Sequence, residues 1–500
     1  MAEEAVAAEL GLVRPALAGA YAAALPGARA AVLTRLWRAL AYEPLPWVVA
    51  RERGRGSLAL TLADGARLEG PAPDPYATTA YVDAVVLDGR TYRQAARLMT
   101  ALAVPHGTAF AAELDDSTAS LALSRAGRAG ADGDDEGPPA ADWQWEQRVV
   151  DGHPYHPNCR SRPGFSVAEQ LAYAPEHRPV VELGLVAVDR EECLVGGEWP
   201  QRLRDGRRLL VPVHPWQAQH VLKTTGTEAG TITAHPLMAL RTLAPDDGGP
   251  HVKTALSARL TSSVRDISVY SIETAAAVSA FAETLAARLE GRLHITRTLG
   301  AVSAHSPDLA AVLREPPERY AAAGTGERVV PVAALAETGL PGSAAWLARF
   351  ARLALGVGLR ALELGVALEA HGQNLLVVLS PAGEPLRLVY RDLADIRISP
   401  ARLARHGMPV PPISGRLVTD DETVLRRKLF GSLVAGALGA TAGSAAALGA
   451  ALSAAVDVLP RTADTEALLS EPLPVKALTL MRLSPGTPGD QWTDLGSPLP

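Results

Sequence analysis

The sequence predicts a mixed α+β fold spread over two or three domains. Three observations carry this. Five hundred residues exceed what one hydrophobic core serves. The middle third carries short alternating apolar runs, the mark of strands, and residues 344–369 carry a crowded apolar pattern, the mark of a buried helix. Residues 126–141 are Gly, Asp, Ala and Pro with almost nothing to bury, which predicts a linker.

Taken in order, residues 5–40 are rich in Ala and Leu and broken by Pro15 and Pro26, which predicts short helices. Residues 58–62 and 84–87 read as strands closed by Asp64-Gly65 and Asp88-Gly89, and residues 92–103 as a helix. Residues 180–188 and 209–213 alternate as strands, and residues 256–260 and 267–270 are expected to flank a Ser-Val-Arg turn. The helix over 344–369 is expected to deliver Glu369 and His371 at its end. Residues 375–379 and 386–390 form a hairpin around Pro381-Ala382-Gly383-Glu384, bringing Asn374 beside Asp392. Residues 433–459 are long enough to span a bilayer, but their Ala and Gly content predicts one or two buried helices.

A formal net charge of −6 argues against a general nucleic-acid binder. The two cysteines, Cys159 and Cys193, make neither a disulfide framework nor a zinc set. The start, Met1-Ala2-Glu3-Glu4, lacks a basic segment followed by an apolar one, so no signal peptide and a cytoplasmic location are expected. Lysine occurs only at Lys223, Lys253, Lys428 and Lys476.

Three separated polar blocks suggest a site assembled by folding: Gly152-His153-Pro154-Tyr155-His156-Pro157, Thr261-Ser262-Ser263-Val264-Arg265 and His371-Gly372-Gln373-Asn374 with Arg391-Asp392. Arg forks and His side chains suit phosphate or carboxylate, and Glu369, Asn374 and Asp392 offer the hard oxygens Mg²⁺ takes. Equally, Asn374 and Asp392 are ordinary strand-end residues, with Arg391 pairing Asp392. Lys253 reads as a phosphate contact or a solvated lysine. His153, His156, Arg160 and Arg162 favour an anion over zinc, for want of a fourth ligand. His214, in Val213-His214-Pro215-Trp216-Gln217, reads equally as buried core and as site.

Together these blocks resemble the IucA/IucC family of NRPS-independent siderophore synthetases. The resemblance runs from Gly152 to Phe165, through Tyr173-Ala174-Pro175-Glu176, the second His-Pro motif, the Ser-x-Arg block and His371 to Asn374, to Val475-Lys476-Ala477-Leu478 and Met481-Arg482-Leu483. It implies an open hand: a thumb over 1–142, β-rich fingers over 143–335 and a kinase-like helical palm over 336–500. It implies ATP and Mg²⁺ as cofactors, and adenylation of a carboxylate (citrate or a related polycarboxylate) followed by capture by an amine, hydroxylamine or alcohol. By resemblance, Arg265, Ser263 and His371 are catalytic. His156, Arg160, Ser263, Arg265, Asp266, His371, Gln373 and Asn374 bind ATP. His153, Arg162, Lys253 and His214 bind substrate, and Glu369, Asn374 and Asp392 hold the metal. A homodimer is also implied, with neither membrane nor nucleic acid as partner. The chain departs from the family in having Arg160 for Lys and Asp266 for Thr, a carboxylate that repels phosphate unless paired. Two other readings are a kinase-like phosphotransferase releasing ADP and a nucleotide-binding homologue without catalysis.

Overall fold

The structure is a computed structural model that describes residues 2–129, 137–260, 263–304 and 306–499, with the side chains of Ala129 and Ser263 outside that description. Its first part is a helical layer on an antiparallel five-stranded meander, Val48–Arg53 through Arg90–Tyr92. The helix Ala18–Tyr42 runs through Pro26, so that proline does not end it as the sequence predicted. The helix stands because residues beyond the proline bury Val32, Leu33, Leu36, Trp37 and Leu40 against Phe110, Leu114 and Leu121, which outweighs one missing N–H bond. Its length and apolar character match a membrane span, yet this face is core. The helix Gly107–Ala129 corrects the linker expectation at its near end: Ala126 is fully buried in that helix. Residues 130–136 of the expected linker lie outside the described residues.

The middle third is a nine-stranded antiparallel sheet. The strand His251–Thr254 lies between Thr242–Pro245 and Ala310–Arg314. Inward residues such as Leu183, Val211, Leu243, Val252 and Leu313 make its core. The Ser-Val-Arg segment is itself a strand, Ser263–Arg265, paired with Leu256–Leu260. Residues 267–270 are not a flanking strand. Ser268 accepts from the Ser271 N–H and caps the helix Val269–Ala287, so helix begins where strand was expected.

In the last third the hairpin forms as predicted, Leu375–Leu379 against Pro385–Tyr390, with Leu375 opposite Tyr390. It sits in a four-stranded sheet packed on the helix Ala344–Glu363. That helix stops at Glu363, not 369. Gly365 takes φ 109°, and a Cβ there would come within 2.9 Å of the Leu403 nitrogen, so the chain turns where only glycine fits. Val366–Ala367 then pairs with Arg397–Ile398 and carries the chain to Glu369. Most of residues 433–459 lie in two helical stretches that meet at 119°, with Leu433, Val434, Leu438, Leu448 and Leu452 buried, which is not one straight span.

A cationic cleft with donor histidines

The hairpin register sets the site. The Arg391 N–H donates to the Asn374 carbonyl (3.0 Å), so Asp392 follows directly beyond the ladder. Asp392 adopts φ 69°, a conformation that costs a non-glycine residue about 1–3 kcal/mol. Two ion pairs oppose that cost. Lys253 Nζ meets Asp392 Oδ2 at 2.8 Å, and Arg314 Nη2 meets Oδ1 at 2.8 Å. Both cations come from neighbouring strands of the large sheet, where Arg314 stands opposite His251, two residues from Lys253.

Arg241 and Arg265 join them, with the Arg241 guanidinium donating to the Arg265 carbonyl. This crowding is visible in the charges. Burial and then Arg314 push Lys253 down to about 7, with Asp392 opposing. Burial and Arg265 push Arg241 down to about 10. Burial alone would raise Asp392, but Arg314 and Lys253 hold it well below the usual carboxylate range.

Three histidines face this cluster in one protonation pattern. His153 Nδ1 accepts from the N–H groups of Tyr155 (3.2 Å) and His156 (3.1 Å). His156 Nδ1 accepts from Asn158 (3.0 Å), and His371 Nδ1 from Gln373 (3.3 Å). An imidazole accepting at Nδ1 carries its proton at Nε2, so all three are N–H donors. Burial, then Arg482 and Arg265, pushes His156 down to about 3. The surrounding protein lowers His153 and His371 as well, although His153 keeps an exposed face and His371 is half-buried. The His156 Nε2 is buried without a partner among the described residues, as an absent anion would leave it. At His371 the Nδ1 lone pair is taken by the Gln373 N–H, which leaves Nε2 to face the cleft as a donor.

The loop bearing His153 and His156 is held from the first helical layer. Arg35 donates to the carbonyls of Asp151, His153 and Pro154, and Arg38 stacks 4.3 Å over Tyr155. Sequence reasoning missed both arginines. Their signal was two cations inside the apolar stripe of a helix, a placement that requires buried partners. It also missed Arg241, Arg314 and Glu146, each of which reaches the site only through long-range packing.

Several expected members are elsewhere. Arg160 donates to the carbonyls of Val149 and Val150 and lies 3.6 Å from Glu176, while Arg162 meets Glu176 at 2.7 Å. Both are buried with a buried carboxylate, while Arg162 Nη1 is buried without a hydrogen-bond partner among the described residues. His214 caps a short helix through the Trp216 N–H (3.2 Å) and packs edge-on against Tyr173, outside the cluster. Arg391 pairs with Glu146 (2.7 and 2.9 Å), not with Asp392. Asp266 is exposed beside Arg265. The side chain of Ser263 lies outside the described residues, as do Thr261 and Ser262.

Asp392 does not fit as a metal ligand, because both its oxygens hold cations. Glu369 and Asn374 do fit. Lys428 (3.0 Å) and Lys476 (3.1 Å) share Glu369 Oε1, which leaves acceptor capacity on the second oxygen. Asn374 donates through Nδ2 to the Glu369 carbonyl (3.3 Å), which leaves Oδ1 as an acceptor. Among the described residues no three His, Cys, Asp or Glu side chains converge to hold a metal unaided. A site of this kind completes its shell with phosphate oxygens and water.

Acid stability follows from the buried histidines. Burial pushes His156, His214 and His251 down to about 3 and His177 down to about 4. The unfolded chain then binds more protons below about pH 6.5, so stability is full above that value and falls as pH drops. Glu43 and Glu318, pushed up to about 7 by burial, act oppositely over the same interval but are fewer. We expect the thermal midpoint to fall steadily from pH 6.5 to 5, above the range where ordinary carboxylates titrate. A flat midpoint over that interval would mean these imidazoles are solvated.

Comparison with known proteins agrees with this architecture. The IucA / IucC family model matches residues 142–337, and the model described as ferric iron reductase FhuF-like transporter matches residues 344–488. A citryl-spermidine/3,4-dihydroxybenzoyl-citryl-spermidine:spermidine ligase of Bacillus anthracis is 25% identical over 312 residues, 50% of each chain. The 2-[(L-alanin-3-ylcarbamoyl)methyl]-3-(2-aminoethylcarbamoyl)-2-hydroxypropanoate synthase of Staphylococcus aureus is 25% identical over 362 residues, 56% of this chain and 58% of that protein. The chain thus spans about half the length of the curated relatives it matches. Among solved structures, the petrobactin biosynthesis protein AsbB of Bacillus anthracis superposes with a TM-score of 0.77 at 19% identity, covering 97% of this chain and 98% of that one. ATP-bound aerobactin synthetase IucA of Klebsiella pneumoniae gives 0.72 at 20% identity, covering 94% and 99%. Motif order, family model and whole-chain fold agree: residues 142–337 match the IucA / IucC family model, and the whole chain shares the fold of these solved structures.

Proposed function

We propose that this chain is an ATP-dependent ligase that adenylates a carboxylate, citrate or a related polycarboxylate, and couples it to an amine, hydroxylamine or alcohol. The observation that carries this is the convergence of Lys253, Arg241, Arg265 and Arg314 on the single carboxylate of Asp392, facing three donor imidazoles. Such a cleft has charge to spare for a polyanion and, among the described residues, no side chain placed as nucleophile. Adenylyl transfer needs that arrangement, since positioning and charge neutralisation supply most of the catalysis. The relatives named above are a ligase and a synthase whose names carry citryl or hydroxypropanoate and amine parts.

In this reading a substrate carboxylate oxygen attacks the α-phosphorus and pyrophosphate leaves. An amine then attacks the acyl carbon, AMP leaves with the electron pair, and the proton lost by the amine passes to water. Arg265 and Ser263 hold phosphate oxygens and the reacting carboxylate. His153, His156 and His371 donate from Nε2, and Gln373 and Asn374 complete the ATP site. Glu369 and Asn374 hold Mg²⁺, which supplies charge neutralisation to the triphosphate when bound. The thumb, fingers and palm correspond to residues 1–142, 143–335 and 336–500, with the cleft between fingers and palm. A cytoplasmic homodimer accompanies this reading, consistent with two buried, unbridged cysteines.

The test is pyrophosphate release from Mg-ATP with hydroxylamine and a panel of citrate, 2-oxoglutarate and succinate. Carboxylate-dependent pyrophosphate with AMP is expected. ADP in its place would mean phosphotransfer, and nucleotide binding without any release would mean a homologue that is no ligase.

A further inference from the structure

The second His-Pro motif, Val213-His214-Pro215-Trp216-Gln217, lies outside the cleft but ends in a contact with the strand pair that bears Arg265. His214 Nδ1 accepts the Trp216 N–H, which starts the short helix Pro215–Gln217. Trp216 stacks on Phe165, with 4.8 Å between ring centres, and donates from Nε1 to the Gly164 carbonyl (3.2 Å). That leaves Gln217, an amide with no exposed surface. A buried amide must place both its ends on partners. Gln217 Oε1 accepts the Ser257 N–H (2.8 Å), and Nε2 donates to Ser257 Oγ (3.1 Å) and to the Asp308 carbonyl (2.9 Å). A backbone N–H only donates and a carbonyl only accepts, so these two partners fix which way the amide points.

Ser257 belongs to Leu256–Leu260, the strand paired with Ser263–Arg265. Leu256 faces Arg265 and Arg259 faces Val264, so Ser257 and Ala258 form a bulge with no residue opposite them. A bulge leaves backbone groups outside the ladder, and Gln217 takes the place of the missing strand at the Ser257 N–H. These two strands make a sheet of their own. A lone two-stranded pair is marginal in water, and Val264 on the outer strand is 44% exposed, so burial does not hold that strand. Leu256 and Ala258 pack with Trp216 and Phe165, but apolar contact has no direction and tolerates a shift. Directional bonds remove that freedom. Ser257 Oγ donates to Asp308 Oδ1, and Asp308 Oδ2 accepts from Ser306 Oγ (3.2 Å). Just past Arg265, the Ile267 N–H donates to the Pro307 carbonyl (3.3 Å). Both roots of the strand pair are therefore tied to the turn at residues 306–308, and Gln217 closes the near one.

We propose that Gln217 is a positioning residue of the adenylation site: through the Ser257 bulge and Asp308 it sets where Arg265 stands in the cleft. This rests on the ligase reading above. Gln217 touches no reacting atom, and no bond changes at it. Leu256, the residue before the bulge, stands opposite Arg265, so a shift of the bulge is a shift of the base of that guanidinium. Misplacing a positioned group by about 1 Å costs about 100-fold in rate. His214 and Trp216 serve the same end, because they fix the short helix from which Gln217 reaches.

The test is a double-variant cycle on carboxylate-dependent pyrophosphate release. Gln217→Met keeps the length of the side chain and removes its hydrogen bonds, and is expected to lower kcat/KM by about 100-fold. In Arg265→Ala the same substitution is expected to add less than about 3-fold, because no guanidinium is left to misplace. A residue that merely supports the fold would cost the same factor in both backgrounds, since independent effects multiply. Ser257→Ala keeps the backbone bond to Gln217 and loses the link to Asp308. It is expected to show the same dependence on Arg265 with a smaller factor, and it carries the cycle if Gln217→Met loses its thermal transition. Equal factors in the two backgrounds, or native turnover in the variant, overturn the proposal. If no carboxylate releases pyrophosphate from the native chain, the ligase reading fails by itself, and Mg-ATP affinity by calorimetry carries the same cycle. A loss of affinity confined to the background that keeps Arg265 then upholds the positioning; equal losses, no loss, or no binding by the native chain overturn it.

Discussion

Replacing Arg265 by alanine is expected to reduce carboxylate-dependent pyrophosphate release by about 100- to 1000-fold, the range seen when one preorganised charge-stabilising group is removed. The fold should survive, because Arg265 is only half-buried and contributes little apolar packing. Its side chain donates to the Leu260 carbonyl (3.1 Å), which fixes the short hairpin at the cleft wall. The check is kcat/KM beside the thermal midpoint. A variant with normal turnover would remove Arg265 from the site, and one that merely unfolds would show a lowered midpoint. Arg265→Lys is informative as well: it keeps charge but loses the planar fork, so it should recover only part of the rate.

The second large effect concerns Glu146. This residue accepts both Nη groups of Arg391 and the Met238 N–H (3.1 Å), while Arg391 Nε donates to the Gln373 carbonyl (3.0 Å). One buried carboxylate thus joins the turn beside the large sheet to the hairpin that carries Asn374 and Asp392. Glu146→Gln leaves Arg391 buried without its counter-charge and is expected to cost about 3–5 kcal/mol. The thermal midpoint of that variant, and of Glu146→Gln with Arg391→Gln, measures it. The double variant should recover most of the stability, because a neutral buried pair replaces an uncompensated charge. Equal midpoints for the single variant and the native chain would show that water reaches Arg391.

These two residues also show what the sequence disclosed. Arg265 stood within a recognisable Ser-x-Arg block, and the hairpin was legible because turn residues and strand alternation act over a few positions. The nearness of Asn374 and Asp392 followed from that local geometry. Glu146, Arg314 and Arg35 carried no local mark. Their roles come from sheet order and helix packing, which bring together residues up to 245 apart. A contact much closer in sequence drew Arg160 and Arg162 to Glu176, although their motif placed them beside the histidines. The early end of the helix at Glu363 was legible in principle, since a glycine two residues on is a usual stop signal.

The backbone bonds to the histidine Nδ1 atoms have a consequence for what the cleft accepts. A wall built from fixed N–H donors and arginine forks presents hydrogens and almost no lone pairs. A carboxylate meets it with two acceptor oxygens, whereas the corresponding acid or amide must turn a hydrogen of its own toward it. The same atoms that hold the loop in shape therefore screen incoming molecules by ionisation state, before any chemistry begins.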